Sequence, residues 1–168
     1  MKALIDPSIF LPIGTIVLHL YVILILWIFS LKRLRMLQKP ISGLDYSQVI
    51  FSGLVLISAL LIGLGEIKGL FQVYKTYSNQ DQEIFVRYIV KSSQFFLIIL
   101  FCQVLLALLI WGVGVGLRDL GKGLHEIRNG NLPFGILMGV IILGCSIVLQ
   151  SLAEYLTDMI VPRILTYN

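Results

Sequence analysis

Charged residues are scarce in this sequence: Asp, Glu, Lys and Arg make up only 13% of its 168 residues. Hydrophobic residues make up 58%. A soluble domain of this size cannot bury that much apolar surface, because its core is small relative to its surface. The composition therefore excludes an ordinary soluble protein and predicts an integral membrane protein.

The residue types and motifs of catalytic and metal sites are also scarce. The chain has two cysteines and two histidines. It has no CxxC or Cys/His metal spacing, and no Ser/His/Asp set, HExxH, P-loop or GxGxxG pattern. Cys102 and Cys145 lie inside apolar runs, where cysteine ordinarily serves as a small packing residue. We therefore expect no cofactor, no metal site and no enzymatic activity.

Long uncharged runs are what the sequence does have. Four of them are each long enough for one helical crossing, which takes about 20 residues for a hydrocarbon core of roughly 30 Å. The alternating pattern of a membrane β-barrel is absent, so the predicted fold class is all-α, a single domain of four transmembrane helices over residues 1–168. The predicted spans are 12–31, 49–71, 95–117 and 134–153, with turns at 32–48 and 118–132 and an outer loop at 72–94.

The basic residues around the first span predict the orientation. Lys32, Arg33, Arg35 and Lys39 directly follow it. Short cytoplasmic loops are enriched in Lys and Arg, so this turn should lie inside a plasma (inner) membrane, with both termini outside and both turns cytoplasmic. The net charge of +4 fits contact with the lipid bilayer and does not indicate nucleic-acid binding.

The two hairpins of the sequence match when the second is offset from the first by 86 residues. Leu31 then aligns with Leu117, and Gly53 with Gly139. Two interpretations are open. The hairpins are an internal parallel repeat, with both in the same orientation, or they are unrelated hairpins with turns of similar length.

The second turn carries apolar residues at helical spacing among charged ones. Leu120, Leu124 and Ile127 share one helix face, with Lys122 and Arg128 close by. One interpretation is an amphipathic helix end that anchors in lipid head groups. The other is a docking face for a partner protein, formed by these five residues.

The start of the fourth helix carries clear capping signals. Gly130 can adopt the positive φ that ends a preceding helix. Asn131 is placed to cap the fourth helix, and Pro133 is compatible with its first turn.

Glycine pairs predict close packing of the third and fourth helices. Gly112 and Gly116 are four residues apart, and so are Gly135 and Gly139. Small residues at this spacing let helix backbones approach closely in lipid. Packing within the chain and packing between copies of a homo-oligomer both explain the pattern.

The stretch EIRNGNLPFGILMGVIILGCSIVL, residues 126–149, resembles the second half of the YjfL-like family of small bacterial inner-membrane proteins. The resemblance implies four spans arranged as two hairpins, and no established activity. Leu132, Pro133 and Phe134 depart from the family pattern, which has small residues there, and Asp45 stands for Asn in the first half. The matching positions are Glu126, Ile127, Gly130, Asn131 and Gly139.

Polar residues within the spans are the candidate functional residues, because each is costly in lipid unless it is satisfied. His19 and Gln103 are predicted to lie at similar depth, roughly 10–12 Å below the outer ends of their helices. In one interpretation they hydrogen-bond neighbouring helices, and the nearby carboxylates are ordinary interfacial charges. In the other they line an outward-facing polar vestibule for a cation, a proton or a small solute. The vestibule residues are His19, Gln103, Gln150, Glu66, Glu154 and Asp158.

Two classes of function remain open. The favoured one is an interaction, scaffold or sensor subunit of a membrane complex, oligomeric and bound to other membrane or cytoplasmic subunits. The second is a gated channel or transporter that uses the vestibule. A dry, apolar inner half would favour the first.

Overall fold

The computed structural model describes residues 7–33, 46–77, 84–116, 125–127 and 129–161. Within these ranges the chain is all-helical and contains no strand, as the sequence predicts. Four helical stretches are long and apolar enough to cross a membrane. The helices are α1 (Pro7–Arg33), α2 (Tyr46–Gly63), a 3-10 turn (Leu64–Glu66), α3 (Ile67–Tyr77), α4 (Ile84–Gly116) and α5 (Leu132–Ile160).

The helices extend further than predicted at one end of the bundle. Within the predicted outer loop, 72–94, α3 continues to Tyr77 and α4 begins at Ile84, so much of this connection is helical. The charges in this segment suggested a loop, but one apolar face of each helix is buried. Leu70 and Val73 of α3 pack with Tyr88 and Phe95 of α4 in one hydrophobic cluster. We call this end, where α1 begins and α5 ends, the upper end, and the opposite one the lower end.

The two hairpins have the same direction in the bundle. A Cβ at Gly135 would lie 2.6 Å from Ser47 Oγ, and a Cβ at Gly65 would lie 3.1 Å from the Cβ of Ala153. Gly139 likewise packs against Leu54. These three contacts join positions 88, 88 and 85 residues apart, so α2 and α5 run parallel in nearly constant register. This is the packing that a parallel repeat with an offset near 86 would require.

The glycine prediction holds for one helix pair. Gly135 and Gly139 are buried and bring α5 against α2, so their predicted packing role is confirmed within the chain. For Gly112 the packing prediction is wrong within the chain, because no heavy atom lies within 4 Å of the place of a Cβ. Gly116 ends α4, beyond the residues whose surroundings are described.

The predicted cap of the fourth helix is confirmed. Gly130 has φ 86°. Asn131 Oδ1 accepts a hydrogen bond of 3.2 Å from the backbone N–H of Phe134, and Asn131 Nδ2 donates to Glu126 Oε2 at 3.1 Å. Backbone N–H groups of the first turn lack helical partners, so this side chain satisfies one of them.

The predicted docking face does not include Ile127. That side chain is 0% exposed and belongs to the main hydrophobic core of the bundle. The helical spacing of Ile127 with the other apolar residues of the turn predicted a shared surface. The Ile127 side chain instead packs against the other helices in the core. Four of the predicted docking residues lie outside the described ranges: Leu120, Lys122, Leu124 and Arg128.

Candidate functional site

Glu66 is a carboxylate buried inside a membrane-spanning stretch. It ends the 3-10 turn between α2 and α3, within the apolar stretch Tyr46–Thr76, and it is 0% exposed. A buried carboxylate is costly unless it is paired or neutral, and within a membrane span it is by default a candidate functional group. The backbone around it is also unusual, since a 3-10 segment inside a helix often marks a functional hinge.

Glycines allow this turn to sit at the centre of the bundle. A Cβ at Gly63 would lie 2.6 Å from Leu20 Cδ2 of α1. A Cβ at Gly65 would lie 3.1 Å from the backbone carbonyl oxygen of Gln150 in α5. A larger residue at Gly65 would therefore push α5 away from the turn, and one at Gly63 would displace the side-chain ends of Leu20 and Ile23 in α1. The segment GLGEIKG, residues 63–69, thus places Glu66 where three other helices surround it.

His19 is the partner of Glu66. A hydrogen bond of 2.8 Å joins His19 Nδ1 to Glu66 Oε1. The imidazole is stacked on the ring of Phe96 in α4, with centroids 4.4 Å apart and planes inclined by 30°. His19 is only 8% exposed. The pair therefore connects α1 to the α2–α3 junction, and α4 covers it.

The burial of the pair makes a change in its charge costly. A carboxylate with a neutral imidazole has a net charge of minus one, and one further proton makes the pair neutral. A net charge in the bundle interior costs several kcal/mol even after relaxation. Glu66 Oε2 has no hydrogen-bond partner within the described part of the chain.

Other polar groups lie above the pair, toward the upper end. Tyr88 donates a hydrogen bond of 3.2 Å to Thr15, which is one turn above His19. Lys68 and Asp158 form an exposed ion pair of 3.1 Å. An exposed pair of this kind contributes little to stability, typically about 0–1 kcal/mol. The upper rim is thus polar and the pair beneath it is enclosed.

Gln103 is not part of this site, and its predicted depth is wrong. Gln103 Oε1 accepts a hydrogen bond of 2.8 Å from Trp27 Nε1, and Gln103 Nε2 donates to the carbonyl oxygen of Ala59 at 2.8 Å. Trp27 lies eight residues below His19, about 12 Å along the helix. The error arose because the predicted third span began at residue 95, whereas α4 begins at Ile84.

The Trp27–Gln103–Ala59 bridge joins α1, α4 and α2 near the middle of the bundle. Trp27 is only 7% exposed and packs in the core. Its indole needs a hydrogen-bond acceptor in that environment, and Gln103 supplies one.

This bridge leads to a testable prediction. In Gln103→Leu the buried Trp27 N–H loses its acceptor, and stability should fall by about 0.6–2 kcal/mol, the range for hydrogen bonds between membrane helices. Thermal unfolding in detergent measures the change. Gln72→Leu is the matched control, because Gln72 is exposed on α3. Equal stability of the two variants would contradict a structural role for the bridge.

An apolar layer separates the bridge from the His19–Glu66 pair. On each of the three helices an isoleucine lies between the two polar contacts, and each is at most 1% exposed: Ile23, Ile62 and Ile99. Water enters such a constriction only if it widens. Among the described residues, therefore, the upper end combines a buried hydrophobic cluster with an exposed ion pair, and a closed apolar layer lies beneath the His19–Glu66 pair.

The remaining predicted vestibule residues do not join the pair. Glu154 is exposed, and Asp158 forms an exposed ion pair with Lys68. Gln150 is half-buried, and its backbone carbonyl faces Gly65. Of the six predicted residues, the structure brings only His19 and Glu66 into direct contact. A sequence signal that could have indicated a buried carboxylate is the glutamate flanked by three glycines in GLGEIKG.

Comparison of the chain with known protein families, with curated proteins and with solved structures gives no match. The resemblance to the YjfL-like family stays a prediction. The interpretation of the site therefore depends on its geometry.

Proposed function

We propose that this protein is a sensor subunit of a membrane complex and that the buried His19–Glu66 pair is its sensing element. The observation that carries the proposal is the burial of an ionisable pair beside a 3-10 break in a membrane helix. Intramembrane ionisable groups at such breaks commonly belong to sites that respond to protons or ions.

The pair has the properties that a proton-responsive switch needs. It holds one proton in its neutral state, and gain or loss of a proton leaves a net charge in an apolar interior. The free-energy cost of that charge falls if the 3-10 turn moves and water reaches the pair. The contacts of Gly63 with α1 and of Gly65 with α5 would transmit such a movement to both helices. A charge change coupled to a segment with two arrangements is the general form of a protonation switch.

The apolar layer favours a sensor over a conducting pore. Ile23, Ile62 and Ile99 close the path below the pair. We propose that the signal passes instead to other subunits, or to further copies of this chain, through the outer faces of the helices and the turns at the lower end. We also propose that the protein resides in a plasma (inner) membrane and that both of its termini lie outside.

A gated proton or cation pathway is the second candidate function. The specific observation that favours it is a set of polar atoms on α2 and the following 3-10 turn that lack hydrogen-bond partners among the described residues: Ser52 Oγ, Ser58 Oγ and Glu66 Oε2. Unpartnered buried polar atoms often mark water sites. A chain of waters along α2 would be needed for conduction, and the apolar layer would have to open.

The proposal predicts a pH-dependent conformational change. Trp27 lies two turns below His19 on the same helix, so its fluorescence, read in a Trp111→Phe background in liposomes, should change with pH. Glu66→Gln should abolish this response, because the amide cannot exchange the proton. Glu154→Gln is the matched control and should retain it, since Glu154 is exposed on α5.

Other titratable groups near the pair need their own variants. They are Tyr88 and Lys91 on α4, and Lys68 and Asp158 at the rim. Removing any one of them, as in Asp158→Asn, should leave the response in place. A response that survives Glu66→Gln, or no response in the wild-type chain, would contradict the sensor. Proton flux into dye-loaded liposomes that is lost in Glu66→Gln would favour the pathway instead.

A further inference from the structure

A narrow groove runs along the bundle between α1 and α4, below the level of the His19–Glu66 pair. Its volume is about 370 Å³, and its walls include Leu26 and Ser30 of α1 and Gln103, Ala107 and Trp111 of α4. Along α4 it extends from position 100 to position 111, roughly 16 Å at the rise of an α-helix. This groove is separate from the proposed sensing element.

The groove opens toward the surrounding lipid. Leu26, Ala107 and Trp111 are exposed, and Trp111 is 66% exposed. The few polar groups in the walls already have hydrogen bonds within the chain: Ser30 donates to the carbonyl oxygen of Leu26, and the Gln103 amide is held by Trp27 and Ala59. An occupant therefore needs no polar group inside the groove, and an acyl chain fits this chemistry.

The shape of the groove excludes a protein helix. Its volume divided by its length corresponds to a cross-section of roughly 20–25 Å². An α-helix with side chains is about 10–12 Å across, which is a cross-section several times larger. A helix from another subunit or from a second copy can cover the groove but cannot enter it. A single extended hydrocarbon chain can.

The lower end of the groove lies near one cation on the face of α1 that lines the groove. Arg33 follows Ser30 by three residues and Leu26 by seven, whereas Lys32 is on the far side of the helix.

Trp27 pairs with Gln103, so the end of α1 at Arg33 lies near the level of Trp111, eight residues beyond Gln103. Arg33 is exposed and forms no ion pair with a described residue. Basic residues at the end of a membrane helix attract anionic head groups, and tryptophan prefers this interfacial level.

We propose that this groove binds one acyl chain of an anionic phospholipid whose head group contacts Arg33. The lipid belongs to the leaflet at the C-terminal end of α1. Its chain fills the space between α1 and α4 beside the Trp27–Gln103 bridge. The site makes the packing of α1 dependent on lipid composition, whether or not the His19–Glu66 pair acts as a sensor.

Native mass spectrometry of the purified full chain with added lipid tests the proposal. Phosphatidylglycerol and phosphatidylcholine with identical acyl chains are the probes. We expect one tightly bound phosphatidylglycerol, preferred roughly fivefold over phosphatidylcholine, as one interfacial cation would give. Arg33→Gln should remove the preference while weak binding of both lipids remains, and Lys32→Gln, on the far side of α1, is the matched control that should keep it.

A groove-filling variant tests the acyl-chain site. Ala107→Phe should lower binding of both lipids at least fivefold, because the ring occupies the groove. Val148→Phe is the matched control on the exposed face of α5 and should leave binding unchanged. Unchanged binding in Ala107→Phe, or equal binding of the two lipids by the wild-type chain, would overturn the proposal.

A second measurement needs no variant that could disturb folding. Phosphatidylglycerol with brominated acyl chains should quench the fluorescence of the two tryptophans that line the groove, Trp27 and Trp111, more strongly than brominated phosphatidylcholine does at the same concentration. Equal quenching would show that these tryptophans meet only bulk lipid. Loss of quenching on dimerisation of the chain would show that a second copy covers the groove, and this too would contradict the lipid site.

Discussion

His19→Ala should lower the free energy of unfolding by about 1–3 kcal/mol, the usual cost of leaving a buried polar group without its hydrogen-bond partner. The substitution leaves Glu66 fully buried, without its hydrogen bond to Nδ1. It also leaves a cavity against Phe96, where the imidazole was stacked. Unfolding by denaturing detergent, followed by circular dichroism, measures the loss.

Two further variants distinguish the loss of the His19–Glu66 interaction from the general effect of substituting a histidine. His125→Ala is the matched control, because His125 is exposed and should cost little. In the double variant His19→Leu, Glu66→Leu neither charge remains, and much of the lost stability should return, since replacing both members of a buried pair by apolar residues is often neutral. Additive losses in this double-mutant cycle would show that the two side chains do not interact.

Gly139→Ala should destabilise the bundle by about 1–3 kcal/mol, the typical cost of overpacking a well-packed interface. The new methyl group would overlap the Leu54 side chain and would also lie 3.0 Å from Leu54 Cβ. Rotation of the Leu54 side chain moves its terminal methyl groups but not its Cβ. The α2–α5 interface must therefore widen, and contacts along the whole seam would weaken. Thermal unfolding in detergent gives the magnitude.

Gly144→Ala provides the comparison for this prediction. It lies on the same helix, but no heavy atom lies within 4 Å of the place of its Cβ. An alanine there should be neutral, and it should be slightly stabilising where helix propensity contributes. If the two variants melt at the same temperature, then the contact between Gly139 and Leu54 does not limit the approach of α2 and α5.

Local chemistry could be predicted from the sequence because it depends on neighbouring residues. Asn131 caps α5 and Gly130 adopts a positive φ, since these roles need only the residues within one helical turn. Partners in space were predicted less well. Gln103 was expected near His19, and it bonds to Trp27 instead, because the offset between α1 and α4 is set by packing at the upper end.

The sequence by itself determined that the chain forms four apolar helices, because so high a hydrophobic content without alternation leaves only helices able to satisfy the backbone in lipid. It also indicated which glycines on α5 could pack closely. Only the tertiary structure decided which polar groups meet. Glu66 and His19 lie 47 residues apart in the chain. They become partners because Gly63 and Gly65 let the α2–α3 break enter the bundle between α1 and α5. How closely the backbone of this break approaches α1 and α5 depends on the packing of all three segments. No single segment of the sequence contains the surfaces that meet there.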